Sequence, residues 1–352
     1  MIENAAGQPL MLWVVSAFLG ISLLLYCLLA GADFGAGILE LFMRRSDKLA
    51  QRKIIDRALG PVWEANHMWL ILMVVILFTG FPRVYSRVSI NLHIPLTAML
   101  IGIIARGTSF TFRHYDAKKD GSQKPYNFFF IFSSVSTPFF LGVVTGALIP
   151  GGIDANPTGY LNGYVWPWLR PFPLALGLFT VSLFAFLAAV YLIGESPTEN
   201  IKSQFTRRAI LANIASVLSG GVVFFSASLD HIPLLKLFLH SPAATACLLL
   251  ATLTLPILWI SLKRSRGWIS RCVAGAQVSL VLVGWLNIQF PVLVHMHDGQ
   301  DLTFFNAAAP AATLFQLGMA LIVGSGLILP ALFYLFRVFK IEEGINEDPP
   351  RI

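Results

Sequence analysis

Long apolar runs broken by short polar stretches set the pattern of this chain. Runs near 10–31, 62–81, 88–105, 127–149, 172–193, 207–228, 242–262, 272–293 and 312–336 are each close to the length needed for a membrane helix. About 20 apolar residues are needed to cross about 30 Å of hydrocarbon. The pattern predicts an all-α integral membrane protein with nine transmembrane helices in a single transmembrane domain spanning 1–352. The first run continues past the length of a secretory leader and shows no small-residue cleavage site, so it reads as a retained helix. The longest connections, 32–61, 106–126, 150–171 and 294–311, are too short for a further domain. Gly and Pro at Pro150 to Gly152 mark a turn, and Trp166 and Trp168 read as interface anchors.

Composition sharpens the picture. Hydrophobic residues make up 56% and charged residues 12% of 352 positions, and mean hydropathy is +0.72. Soluble domains carry about 25% charged residues, so a soluble globule, a disordered chain and a zinc module are excluded. Cys27, Cys247 and Cys272 are far apart and sit in or beside apolar runs, as small core hydrophobes do. The net charge of +7 reflects membrane topology and not nucleic-acid binding. Of 25 Lys and Arg, 21 fall on one side of the predicted spans and 4 on the other. The positive-inside rule then puts the N-terminus outside and the C-terminus in the cytoplasm.

Ionisable groups inside a bilayer are costly, so each is a candidate for function. The richest cluster is GPVWEANHMWL (Gly60 to Leu70), at the cytoplasmic start of the second span. Helical spacing sets Trp63, Asn66, His67 and Leu70 on one face, with Glu64 rotated about 100° from Trp63 onto the side of Met68 and Ile71. Two readings of Glu64 stand. It is a charge satisfied by the positive end of the helix dipole, or it takes protons from the cytoplasm and passes them inward. The GADFGAG segment (Gly31 to Gly37) reads as a close-packing device with Asp33 at bilayer-edge depth, and Arg106 is a candidate partner for that carboxylate. Arg106 and Arg113 flank RGTSFTFR, either as a snorkelling cytoplasmic rim or as partners of carboxylates. Of seven histidines only His67 and His93 fall at membrane depth, and at opposite ends, a poor pattern for bis-His haem. His295, His297 and Asp298 form at most a weak metal signal, because a fourth ligand is not evident.

Five segments in order carry a family resemblance: GADFGAG; GPVWEANHMWL with Phe81-Pro82; RGTSFTFR; Phe290-Pro291 with LTFFNAA (Leu302 to Ala308); and the tail from Pro330 to Lys340. Together they resemble subunit II of the cytochrome bd-type quinol oxidases, including the cyanide-insensitive branch. The resemblance implies two four-helix bundles, approximately 1–150 and 151–310, plus a peripheral ninth helix at 311–340, in a bacterial cytoplasmic (inner) membrane. It also implies a heterodimer with a haem-bearing subunit I that oxidises quinol and reduces dioxygen to water, contributing to proton-motive force without pumping. Haem b and haem d would then reside in the partner, with no metal held by this chain. The resemblance also leaves room for small single-span accessory subunits as further partners and for a structural quinone bound by this chain. On this basis Glu64, with Asn66, His67 and Asp33, lies on a proton route, Trp63 and Trp69 lie near an oxygen path, and Arg106 and Arg113 brace the fold or the partner. Some members carry Asp where this chain has Glu64, which moves the carboxylate by about one methylene.

Two other classes fit parts of the pattern. Many spans with Gly and Pro interruptions would also suit a secondary transporter, although the polar groups crowd one rim instead of the midplane. A purely structural assembly subunit would use the Glu64 cluster only to brace its partner.

Overall fold

The structure, a computed structural model, describes residues 10–43, 48–59, 63–115, 123–264 and 267–345. Its spans are α1 (Leu10–Leu39), α3 (Trp63–Gly80), α5 (His93–Tyr115), α6 (Gln123–Ala147), α8 (Pro171–Gly194), α9 (Glu199–Leu229), α11 (Pro242–Lys263), α12 (Gly267–Gln289) and α13 (Ala311–Ile345). Shorter elements link them: a 3-10 turn Glu40–Phe42, α2 (Lys48–Leu59), α4 (Pro82–Asn91), α7 (Tyr160–Tyr164), α10 (Leu234–His240), and strands β1 (Val292–Val294) and β2 (Leu302–Thr303). Among the described residues, 8 helices are long and apolar enough to cross a bilayer, and the bent pair α3–α4 makes up to 9. All nine predicted runs fall on these elements.

Three boundaries differ from expectation for physical reasons. The helix predicted to end at residue 31 continues to Leu39, because the glycines beyond it allow packing and do not end the helix. The third span starts at His93 rather than 88, since 82–91 forms a separate helix bent 115° from α3. Pro82 causes that break: it has no N–H to continue the α3 ladder, yet suits the first turn of a new helix. The stretch 32–61, expected as a connection, is mostly helical, with α2 lying along the end of the bundle.

Span α8 is the hub, packed between α1 and α6. At Gly35 an added Cβ would stand 1.9 Å from the Phe184 carbonyl oxygen, so α1 and α8 meet backbone to backbone. Gly142 does the same for α6, where a Cβ would reach 2.6 Å from the Leu176 carbonyl oxygen. Small residues give such approach between membrane helices, where dispersion rather than water exclusion drives association. The main core gathers Tyr26, Phe34, Phe184, Phe186 and Leu192 around this seam.

A second core closes the opposite end, where α1 starts. There Leu12, Phe81, Val84, Val294 and Leu314 pack together. The hairpin β1–β2 lies over it, pairing Val292 with Thr303 and Val294 with Leu302. Asp301 ties the hairpin, accepting from the Met296 N–H at 2.8 Å and meeting His295 Nδ1 at 2.8 Å. The Ala309 N–H donates to the Gly80 carbonyl at 2.8 Å, so the LTFFNAA segment caps the α3–α4 bend. Two sequence segments more than 200 residues apart thus form one structural unit.

Candidate functional site

Buried polar residues of α1, α5 and α6 converge near the 3-10 turn. Asp33 is buried and its Oδ1 lies 2.6 Å from the Arg106 guanidinium, which also donates to the Asp33 carbonyl at 2.7 Å. The same guanidinium donates to the Ser134 hydroxyl. Its carbon lies 5.0 Å from the Phe34 ring centre and 4.3 Å from that of Phe130. A desolvated guanidinium against an aromatic face gains about 2 kcal/mol, and the guanidinium places its further N–H groups on a backbone carbonyl and a hydroxyl. The expected Asp33–Arg106 partnership is therefore present. Gly37 makes room for it: a Cβ there would lie 2.9 Å from Arg106 Nη1.

A second pair stands seven residues further along, between the 3-10 turn that continues α1 and the end of α5. Glu40, 1% exposed, accepts from Arg113 at 3.0 Å and from Arg52 of α2 at 2.9 Å. Arg113 also reaches Asp56 at 3.4 Å and lies 4.2 Å from the Phe130 ring, so Phe130 meets two guanidinium groups. Gln51 of α2 donates to Gln204 and accepts from Arg208 at 2.6 Å, extending the network to α9. Arg113 was expected to form a rim or pair with a carboxylate, and it pairs. Glu40, Arg52, Asp56 and Gln51 were not anticipated. A signal for Glu40 was present: Asp33 and Glu40 are seven apart, Arg106 and Arg113 are seven apart, and seven residues is two helical turns. Parallel helices in constant register give both pairs a separation of 73 residues.

The start of α3 lies beside this network. Asn66 is buried, and His67 is half-buried with its ring 6.0 Å from that of Phe34, edge to face. Trp69 is half-buried against the main core. His67 thus joins Asp33 and Arg106 around Phe34. On the other side of α3, Met68 and Ile71 are exposed. Trp63 and Glu64 lie in the first turn of α3, and their side chains are outside the described residues, as are Gly60, Pro61 and Val62. His93 is an exposed end residue with Nδ1 2.9 Å from the Ile90 carbonyl. Among the described residues no group of three His, Cys, Asp or Glu side chains is placed to hold a metal ion.

A second feature lies in the other half of the chain. A cavity of about 370 Å³ runs between α8, α9, α11 and α12 and reaches α1 at Leu23 and α6 at Leu141, walled mainly by Leu, Val and Phe side chains. Its polar groups are few. Asn213 donates to Gln277 at 3.3 Å and accepts from Trp259 at 3.1 Å, while the buried Trp285 Nε1 has no partner among the described residues.

This is a multi-span helical membrane protein with a buried, ion-paired charge ladder at one end and an apolar cavity in its second half. The pattern of the family described as "Cytochrome bd terminal oxidase subunit II" matches residues 10–339, and the chain belongs to that family. It is 26% identical over 321 residues to "Cytochrome bd ubiquinol oxidase subunit 2" of Bacillus subtilis, covering 89% of this chain and 90% of that one. It is 26% identical over 176 residues to "Cytochrome bd-I ubiquinol oxidase subunit 2" of Escherichia coli, covering 49% of this chain and 46% of that one. The fold is similar to a chain of the bd oxidase from Geobacillus thermodenitrificans, with a TM-score of 0.74, 21% identity, and coverage of 94% of this chain and 98% of that one.

Proposed function

We propose that the chain works with a haem-bearing subunit I to oxidise quinol and reduce dioxygen to water, and that it supplies proton and oxygen access while subunit I holds haems b and d. The observation that carries the proposal is the family match over almost the whole chain, from residue 10 to 339. The haems supply the electron transfer and dioxygen chemistry, and this chain's residues hold and move protons. Asp33 is the central group: one carboxylate oxygen is locked to Arg106, and Oδ2 is buried without a hydrogen-bond partner among the described residues. That free acceptor, with His67 across Phe34, offers an anchor for a water that relays protons inside the bundle. Glu64 sits at the entry to α3, on the stripe that continues to exposed Met68 and Ile71, a face available to subunit I. Trp63 and Trp69 border an apolar approach for dioxygen. Protons drawn from the cytoplasm and released outside by quinol would build proton-motive force, with the N-terminus outside and the C-terminus in the cytoplasm. The Asn213–Gln277 cavity has the apolar walls and sparse donors that suit an isoprenoid quinone, with Trp285 Nε1 free to donate to a ring carbonyl.

The test is purification from native membranes through a cytoplasmic C-terminal tag, with a reduced-minus-oxidised spectrum and quinol-driven oxygen uptake. Haem bands and a second large subunit are expected, and Glu64→Leu should lower turnover per haem in a pH-dependent way. A colourless chain with no such partner would favour a transporter. Turnover unchanged at every pH in Glu64→Leu would remove the proton-entry role.

A further inference from the structure

The end of the bundle far from Asp33 carries a second built feature. Helix α4 turns 115° away from α3 and crosses the bundle's end. Val84 and Val88 point into the core there, while Arg83, Ser86 and Arg87 face outward. Bent out of the line of α3 at Pro82, α4 turns its apolar side to the core and its polar side outward. Arg83, Ser86 and Arg87 line one wall of a polar groove of about 430 Å³, and Asp298 and Gln300 of the hairpin line the other. Each arginine is steadied by one backbone carbonyl, Arg83 by Asn306 at 3.2 Å and Arg87 by Ala155 at 3.2 Å. Neither forms an ion pair among the described residues. Among the described residues Asp298 accepts only the Gln300 N–H, at 3.0 Å, across its own turn.

We propose that this groove binds the headgroup of a zwitterionic phospholipid, the phosphate taken by Arg83 and Arg87 and the ammonium by Asp298. Three observations select this ligand. Guanidinium groups one helical turn apart, with N–H groups left after their carbonyl bonds, match the fork geometry of a phosphate. The carboxylate opposite would repel a simple anion, yet complements a headgroup with both charges. The groove also lies just past the apolar run of α3, where a span of that length meets the headgroup layer.

The experiment uses the complex isolated from native membranes, stripped of lipid and returned to bicelles containing phosphatidylethanolamine or phosphatidylglycerol, with bound lipid counted by native mass spectrometry. Inorganic phosphate is tested separately as a free-anion source. The wild type should retain phosphatidylethanolamine in preference to phosphatidylglycerol. In the double variant Arg83→Gln/Arg87→Gln retention of both lipids should fall about tenfold, as expected from losing a charge-assisted hydrogen bond. Asp298→Asn should abolish the preference while strengthening retention of phosphatidylglycerol. Should the double variant fail to accumulate, the exposed Asp298→Asn substitution still decides the matter. An unchanged preference in Asp298→Asn, or equal retention of both lipids by the wild type, would overturn the proposal. Stabilisation by inorganic phosphate alone, with no lipid retained, would overturn it in favour of a free anion.

Discussion

The backbone contact between α1 and α8 is open to a direct test through Gly35→Ala. Close C–H···O contacts lie at about 3.3–3.6 Å, whereas the new Cβ would begin 1.9 Å from the Phe184 carbonyl oxygen and 2.7 Å from the Ala188 Cβ. The first obstacle is backbone, so no rotamer change relieves it and the helices must part by about 1.4 Å. A radial gap of 0.5–1 Å already forfeits about a quarter to a half of a dispersion contact, and the loss spreads over the Phe34, Leu187 and Ala188 seam. The cost should reach or exceed the top of the about 1–3 kcal/mol range for overpacked cores. Gly31→Ala should cost less, because its nearest obstacle is the Leu187 Cδ1 at 2.8 Å, a side-chain end that can swing away. Gly275→Ala should be neutral, since nothing lies within 4 Å of its Cβ position. Thermal unfolding of purified complex, with yield of assembled protein, gives the order. Equal melting temperatures for Gly35→Ala and Gly275→Ala would show that α1 does not seat on α8 as described.

Three further outcomes follow from the site. Asp33→Asn should destabilise the protein by about 3–5 kcal/mol by leaving Arg106 buried with its charge unmatched; the double variant Asp33→Leu/Arg106→Met should recover much of that loss, read from melting temperatures. Glu40→Gln removes the charge shared by Arg52 and Arg113, so hydrogen exchange across α2 should quicken, by about tenfold or more, while α8 stays protected. Filling the cavity with Leu248→Trp should lower quinone extracted from purified complex if the cavity holds it; quinone content equal to wild type would place the quinone elsewhere.

The spans were legible because hydropathy is a local property: each helix declares its own apolar length, whatever it packs against. The Asp33–Arg106 pair was legible because an acid and a base at bilayer depth must find each other. Glu40 was harder, since a glutamate after a glycine-rich run resembles a loop residue, and only the matched spacing of seven with Arg106 and Arg113 betrays it. The α4 bend was missed because a proline between two apolar stretches reads as a short connection, and its direction is fixed by Ala309 and the hairpin far along the chain. The cavity could not be foreseen either: its walls are ordinary Leu, Val and Phe, and only tertiary packing separates a filled space from an empty one.

The unbroken length of α1 has an electrical consequence. Asp33 lies six residues, at about 1.5 Å each, before the end of α1, and Glu40 opens the 3-10 turn that follows, with a rise of about 2 Å, so about 11 Å separates them along the axis, close to a third of a hydrocarbon layer about 30 Å thick. The two acids therefore sit at different depths in the transmembrane field. A unit charge moved between those levels exchanges at most about 0.8 kcal/mol with a potential of about 100 mV. A proton carried along the ladder would therefore draw on the membrane potential itself, without any helix having to move.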